Sequence, residues 1–238
     1  MNPVKIDFGR VFAQAGALWR ADRALLLPVA GMFLWLPAFA VRLFLPIPDS
    51  RGMDDLAFFN ALMAFWSANA HWLLIQIGLQ LIGSGAILVL LLAPDRPAVA
   101  DALQRAVRLL PRLALAHVAS VAMVMAGGLL VVVIGGLYAL GRTQLVLPVV
   151  VAEQDGGIRA ALARSRGNGW RLLQLYLVLM LPSLLLGSVF DSAADGASAL
   201  AAPVLTGLAT AVLTAGAVGL LLVNAAAYRI LAAARQGI

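Results

Sequence analysis

Apolar residues in this chain gather into runs of about twenty, the length that carries an α-helix across a bilayer at about 1.5 Å per residue. The runs predict six spans, at 24–45, 72–92, 113–134, 137–152, 170–189 and 204–228. The stretches between them keep a helical period of their own. Phe8, Val11, Phe12, Ala15, Leu18 and Trp19 recur at helical spacing, with Arg10, Arg20 and Arg23 on the polar side. Val99, Ala102, Leu103, Ala106, Leu109 and Leu110 do the same against Arg105, Arg108 and Arg112. These two stretches, with Ile158 to Gly169, read as basic amphipathic helices lying in the membrane interface. Leu56, Phe59, Leu62, Met63 and Trp66 predict one more over 55–70, too polar to span and with its aromatics at the boundary.

Punctuation residues set the ends. Pro28 and Pro37 fall inside the first run, where neighbouring helices can satisfy the carbonyls they free. Pro46, Pro48, Asp49, Ser50, Arg51 and Gly52 then make a loop, and Ala93-Pro94-Asp95-Arg96-Pro97 closes the second span. The stretch 113–152 has no acidic residue and twice the length of one span, so it must fold back, and Gly135-Gly136 offers the turn. Glu153 and Asp155 stop the fourth span, and Asp191 to Ser198 reads as a polar outer loop. Lys5 and Arg10 precede a run that ends in Ala38-Phe39-Ala40, as in a cleaved signal. The run is too long for a signal core of about 7–15 residues, so a first transmembrane helix is expected instead.

Composition agrees with the pattern. With 63% hydrophobic and 12% charged residues, the chain carries half the usual charged fraction of about 25% and more apolar side chain than one core can bury. The expected fold class is all-α: a polytopic membrane protein of six helices in three hairpins, forming one domain over 1–238. Charge then orients it. Lys5, Arg10, Arg20, Arg23, Arg96, Arg105, Arg108, Arg112, Arg159, Arg164, Arg166, Arg171, Arg229 and Arg235 fall on one side. Asp49, Asp54, Asp55, Asp191 and Asp195, with Arg51, fall on the other. By the positive-inside rule both termini are expected in the cytoplasm. The net charge of +6 is scattered between apolar runs without interleaved aromatics, which points to anionic lipid headgroups and away from nucleic acid. Cysteine is absent, so disulfides and thiolate chemistry are excluded. Ala13, Ala102 and Ala161 each precede Arg23, Arg112 and Arg171 by ten residues, suggesting three copies of one helix-and-hairpin unit.

Little in the chain is suited to catalysis. His71, at an outer helix boundary, and His117 are the two histidines, and His117 has no acidic partner at helical spacing, so no metal, cofactor or catalytic site is expected; His117 should hydrogen-bond a neighbouring helix. Gln76, Gln80 and Ser84 share one face of the second span, and Thr206, Thr210 and Thr214 one face of the sixth. These rows serve either as contacts between helices or as the wall of a substrate path. Gly207, Ala211, Ala215 and Gly219 form a small-residue stripe that admits a neighbouring backbone. Arg142 is a charge well inside a span, costing from about 2.5 kcal/mol upward, so it needs a partner. It either snorkels to the outer phosphates or pairs with Gln76, Gln80, Asn224 or a lipid phosphate. Glu153 has Arg164 and Arg159 as candidate partners, or caps the helix that follows. Ser165 lacks a nearby base and reads as structural.

Arg142, Leu145, Leu147, Pro148 to Val151 and Glu153, then Ala161, Leu162, Arg164 and Ser165, then Gly169 to Leu173, carry a resemblance. This pattern resembles the membrane domain fused to glycerophosphoryl diester phosphodiesterases and the related YciC-type bacterial inner-membrane proteins. Ala227-Tyr228, Leu231 and Arg235 are similar to that family's ending, whereas Arg166-Gly167-Asn168 replaces its longer apolar turn. The resemblance implies a six-helix bundle without the fused hydrolase, and hence a non-enzymatic inner-membrane protein in envelope lipid or membrane homeostasis. The alternatives are a transporter or channel-like module, and an accessory subunit that docks a soluble partner, or a second copy, through its basic helices.

Overall fold

The computed structural model describes residues 5–45, 48, 52–130, 132–153 and 157–236. The expected loop residues Pro46, Asp49, Ser50 and Arg51, the stop residue Asp155 and the Arg235 side chain lie outside them. The chain is 88% helical, with no strand among the described residues, and six of its helical segments are long and apolar enough to cross a membrane. It is an all-α polytopic membrane protein. In order these are α1 (Phe8–Ala30), a π-turn (Gly31–Trp35) and α2 (Leu36–Phe44), which together make span one, then α3 (Asp55–Leu92) and α4 (Val99–Leu130). Span four is split into α5 (Val132–Thr143) and α6 (Val146–Ala152); α7 (Ile158–Arg164), α8 (Gly169–Asp195) and α9 (Ala201–Gln236) follow.

Three of the four interfacial helices expected from the sequence are not separate elements. The 8–23, 55–70 and 98–112 patterns run without a break into the spans that follow them. No Gly or Pro interrupts the first two junctions, and Ser67 and Asn69 satisfy their own polar atoms on the Ala64 and Phe65 carbonyls of the same helix, at 3.0 and 2.9 Å. Span one is 37 residues and α3 is 38, about 55 Å each, so both outrun a hydrocarbon core of about 30 Å. Only α7 stands alone, between Gly157 and a tight turn in which Gly167 takes φ +79°. Its Ala161 and the Ala102 of α4 are fully buried, but Ala13 is exposed, so the three alanines are not equivalent positions of one repeat.

The turn between spans three and four comes earlier than expected. α4 ends at Leu130 and α5 begins at Val132, leaving Gly135 and Gly136 inside α5. A Cβ on Gly127 would fall 2.8 Å from the Gly135 carbonyl oxygen, and one on Gly136 would fall 3.2 Å from Gly128 Cα. The glycines therefore pair the two helices at close approach rather than making the turn. Span four, expected as one helix, breaks at Gln144 and Leu145. Pro148 has no N–H for the Gln144 carbonyl, and Thr143 Oγ1 and Gln144 Nε2 both donate to the Leu140 carbonyl, at 3.0 and 3.2 Å. The outer loop expected at 191–198 is shorter, because α8 continues to Asp195.

The six spans neighbour one another in chain order and close into a ring, α9 packing on both α8 and α1. α6 turns inward from that ring to touch α3, α4 and α9. The packed core lies toward the termini, where Leu26–Leu34, Ala86–Leu91, Leu145, Leu172, Leu175 and Val218–Ala227 meet. The opposite ends carry exposed apolar side chains such as Phe44, Trp66, Leu129, Val189 and Leu200.

Candidate functional site

Arg142 ends α5 with its guanidinium turned onto the segment between α7 and α8. Nε donates to Ser165 Oγ at 2.8 Å, Nη2 to the Leu162 carbonyl, and Nη1 to the Tyr138 hydroxyl at 3.4 Å. The Leu162 carbonyl belongs to the last turn of α7, where helix carbonyls lack internal partners and attract a cation. Close packing makes this reach short: α5 and α8 touch at Gly141 and Gly169, and a Cβ on Gly169 would lie 2.7 Å from the Tyr138 ring and 2.9 Å from Arg142 Cδ. Asn168 Oδ1 accepts the Ile6 N–H at 2.9 Å, and Arg171 donates to the Ile6 carbonyl. The segment before α1, the α5 terminus and the α7–α8 turn thus form one polar knot, in which Ser165 and Asn168 are 0% and 1% exposed.

None of the side chains expected to partner Arg142 is in contact with it. Asn224 bonds Gln144, Gln76 and Gln80 line a pocket elsewhere, and the cation points to a turn of its own chain rather than to the far interface. The reason is tertiary: α7 packs back against α4, α5 and α6 and carries Ser165 up to the end of α5. Glu153 meets Arg164 at 2.6 Å, and Arg159 is exposed. Tyr228 donates to Glu153 Oε1 at 3.0 Å while the Arg164 guanidinium lies 5.3 Å from its ring centroid, which ties α9 to the end of α6. Asn224 donates to Gln144 Oε1 at 3.2 Å, bracing the break in span four.

The two polar rows do meet. Gln76, Gln80 and Ser84 of α3 face Thr210 and Thr214 of α9 across a cavity of about 370 Å³, completed by Leu34, Ala38 and Arg42 of span one. Arg142 is not part of it. Thr206 instead lines a second cavity of about 280 Å³ with Arg42, Asp191 and Asp195. The side chains of Gln76 and Gln80 make no hydrogen bond to any of the described residues.

Arg42, which lines both cavities, is the charged residue that sequence reasoning passed over. Its Nη2 pairs with Asp191 Oδ2 at 2.5 Å and its Nη1 reaches Thr210 Oγ1 at 3.5 Å; the two charged side chains are 29% and 38% exposed. The signal was present, since Arg42 interrupts the apolar run 24–45 as Arg142 interrupts 137–152.

The small-residue stripe admits no backbone. Gly207 faces the Phe39 ring and accepts the Trp35 indole N–H on its carbonyl at 3.1 Å. Ala211, Ala215 and Gly219 line an apolar crevice of about 450 Å³ between α1 and α9, running from Trp19 to Trp35 and bordered by Thr214. A Cβ on Gly219 would meet only Leu179 Cδ2, at 3.6 Å, because the bulky side chains of α1 and α8 hold their backbones off. His71 tilts against Trp72, and His117 is exposed without a hydrogen bond to a described residue, so the expected contact to a neighbouring helix is not made. Among the described residues no three His, Asp or Glu converge as a metal site would require. No family model matches the chain, and neither a curated protein nor a solved structure matches it.

Proposed function

We propose that the chain is a non-enzymatic protein of a bacterial inner membrane, with both termini cytoplasmic, that holds membrane lipid between its helices and serves envelope lipid homeostasis. One observation carries this reading: two mainly apolar cavities flank the same contact between span one and α9, and one of them also holds a cluster of polar side chains. The crevice from Trp19 to Trp35 is apolar, whereas the second pocket sets Gln76, Gln80, Ser84, Thr210 and Arg42 into a lining that is otherwise apolar; Thr214 borders both. An amphiphile has this division of chemistry, and a chain in the membrane meets lipid at high concentration. Half-buried amides at bilayer depth are costly without partners, which favours a ligand with hydrogen-bonding groups. The basic residues near the termini and the resemblance to the YciC-type proteins agree with the location and the role.

Purification in mild detergent followed by mass spectrometry of the retained lipid tests the reading. One lipid class should be enriched several-fold over the membrane of origin, and a retained composition equal to the bulk would overturn it.

A transport role is the second reading, favoured by the same Gln and Thr lining. It requires a path open to both faces. Below Ser84, however, Gly85 to Leu91 are all buried in the packed core, so the pocket closes toward the termini.

A further inference from the structure

This inference rests on the lipid-holding reading and adds the group recognised and the residue that recognises it. We propose that Arg42 binds the phosphodiester of a phospholipid from the leaflet away from the termini, and that Asp191 is a tethered carboxylate occupying that place until lipid displaces it. Depth comes first. Arg42 lies two residues from the end of α2, and Asp191 four from the end of α8, so the pair sits within about 6 Å of the helix ends away from the termini, the level at which this proposal places the lipid phosphates. Access is also present, because the guanidinium is a wall common to the 280 and 370 Å³ cavities.

The pairing geometry supports exchange. A guanidinium offers five donors in a fork that suits bidentate oxyanions. Here the described contacts are single-ended: Asp191 engages Nη2, and Nη1 reaches the Thr210 oxygen at the limit of hydrogen-bond length, while the Thr210 hydroxyl proton goes to the Thr206 carbonyl at 2.8 Å. Two phosphate oxygens would engage the fork that one carboxylate oxygen engages singly. Gln76 and Gln80, deeper in the same pocket, then face the glycerol and ester oxygens with amide donors that no described residue takes up. Asp191 and Asp195 both border the outer cavity, so an arriving phosphate competes with a carboxylate that is already in place.

That competition gives a test that a purely architectural ion pair would fail. Native mass spectrometry would follow binding of phosphatidylglycerol and of diacylglycerol, which lacks the phosphate, to the detergent-solubilised protein. The wild type should prefer phosphatidylglycerol by about tenfold, and Arg42→Gln should abolish the preference. Asp191→Asn should raise phosphatidylglycerol affinity several-fold by removing the competitor. The double variant Arg42→Gln/Asp191→Asn keeps a neutral pair, so it should melt close to the wild type and yet bind like Arg42→Gln alone. Asp191→Asn weakening binding as Arg42→Gln does, or Arg42→Gln retaining the preference, would overturn the proposal. Displacement of the lipid by millimolar sn-glycerol 3-phosphate would assign the site to a soluble phosphate and overturn it as well. If a lipid class is enriched equally in wild type and Arg42→Gln, the Arg42 site falls and the lipid-holding reading stands. If nothing is enriched in either, that reading falls.

Discussion

Arg142 Nε and Ser165 Oγ meet at 2.8 Å across twenty-three residues of chain, joining the end of α5 to the turn before α8. The same cation holds the Leu162 carbonyl and lies 5.8 Å from the centre of the Tyr138 ring, so removing it strands several groups at once. Arg142→Leu should therefore destabilise the protein by about 3 kcal/mol, the scale of lost charge-assisted hydrogen bonds in a half-buried setting. Arg142→Lys should fall between, since an ammonium is a point charge without the fork. Thermal melts in detergent read both, and a melting point for Arg142→Leu equal to the wild type would show that the knot carries no stability.

How far the sequence foretold this follows from where each signal resides. Apolar run length is a local property, and six runs became six membrane-crossing segments. Helix boundaries within them were less legible, because Arg20–Arg23 and Ser67–His71 look like polar surface yet contain nothing that stops a helix. Gly135 and Gly136 carried a real signal of small size whose use, close packing on Gly127 and Gly128, depends on a partner helix. The partners of Arg142 were out of reach for the same reason, since Ser165 meets it only once α7 has folded back. The rows of Gln and Thr were legible as faces, and that Arg42 rather than Arg142 completes their pocket follows from the packing: span one carries Arg42 onto α3 and α9, whereas Arg142 sits on α5, which packs on α4, α7 and α8.

The contact of α5 with α8 gives a steric prediction. A Cβ on Gly141 would overlap the Gly169 carbonyl oxygen and touch Leu173 Cβ at 3.0 Å, and backbone cannot move aside as a flexible side chain can. Gly141→Ala should cost about 2–3 kcal/mol through overpacking. Gly16→Ala, with nothing within 4 Å, should instead stabilise α1 by up to about 1 kcal/mol through helix propensity. Melting points that move in opposite directions for the two alanines confirm the close approach, and equal shifts refute it.

Glu153, Arg164 and Tyr228 form a three-way contact whose energy is separable. Glu153 Oε1 accepts from both partners, at 2.6 Å from Arg164 Nε and 3.0 Å from the Tyr228 hydroxyl. The pair is 17% and 25% exposed, partly shielded from water, so its worth exceeds that of a surface ion pair. A double-mutant cycle of Glu153→Gln with Arg164→Gln should give a coupling of about 1–2 kcal/mol, and Tyr228→Phe should reduce it. Additive single-site effects would show that the three merely adjoin.

Sidedness is open to a direct test because the chain has no cysteine, so any introduced thiol reports alone. Ser198, in the short connection between α8 and α9, and Gln104, on the exposed face of α4 near its start, are both exposed and lie at opposite ends of the bundle. The orientation proposed from the distribution of arginines has Gln104 in the cytoplasm and Ser198 outside it. Ser198→Cys should then react with a membrane-impermeant maleimide in intact spheroplasts, and Gln104→Cys only after permeabilisation. The reverse pattern would move Arg42 and Asp191 to the cytoplasmic leaflet. The phosphate they compete for would then come from that leaflet, so the labelling result fixes which lipid pool the Arg42 site can sample.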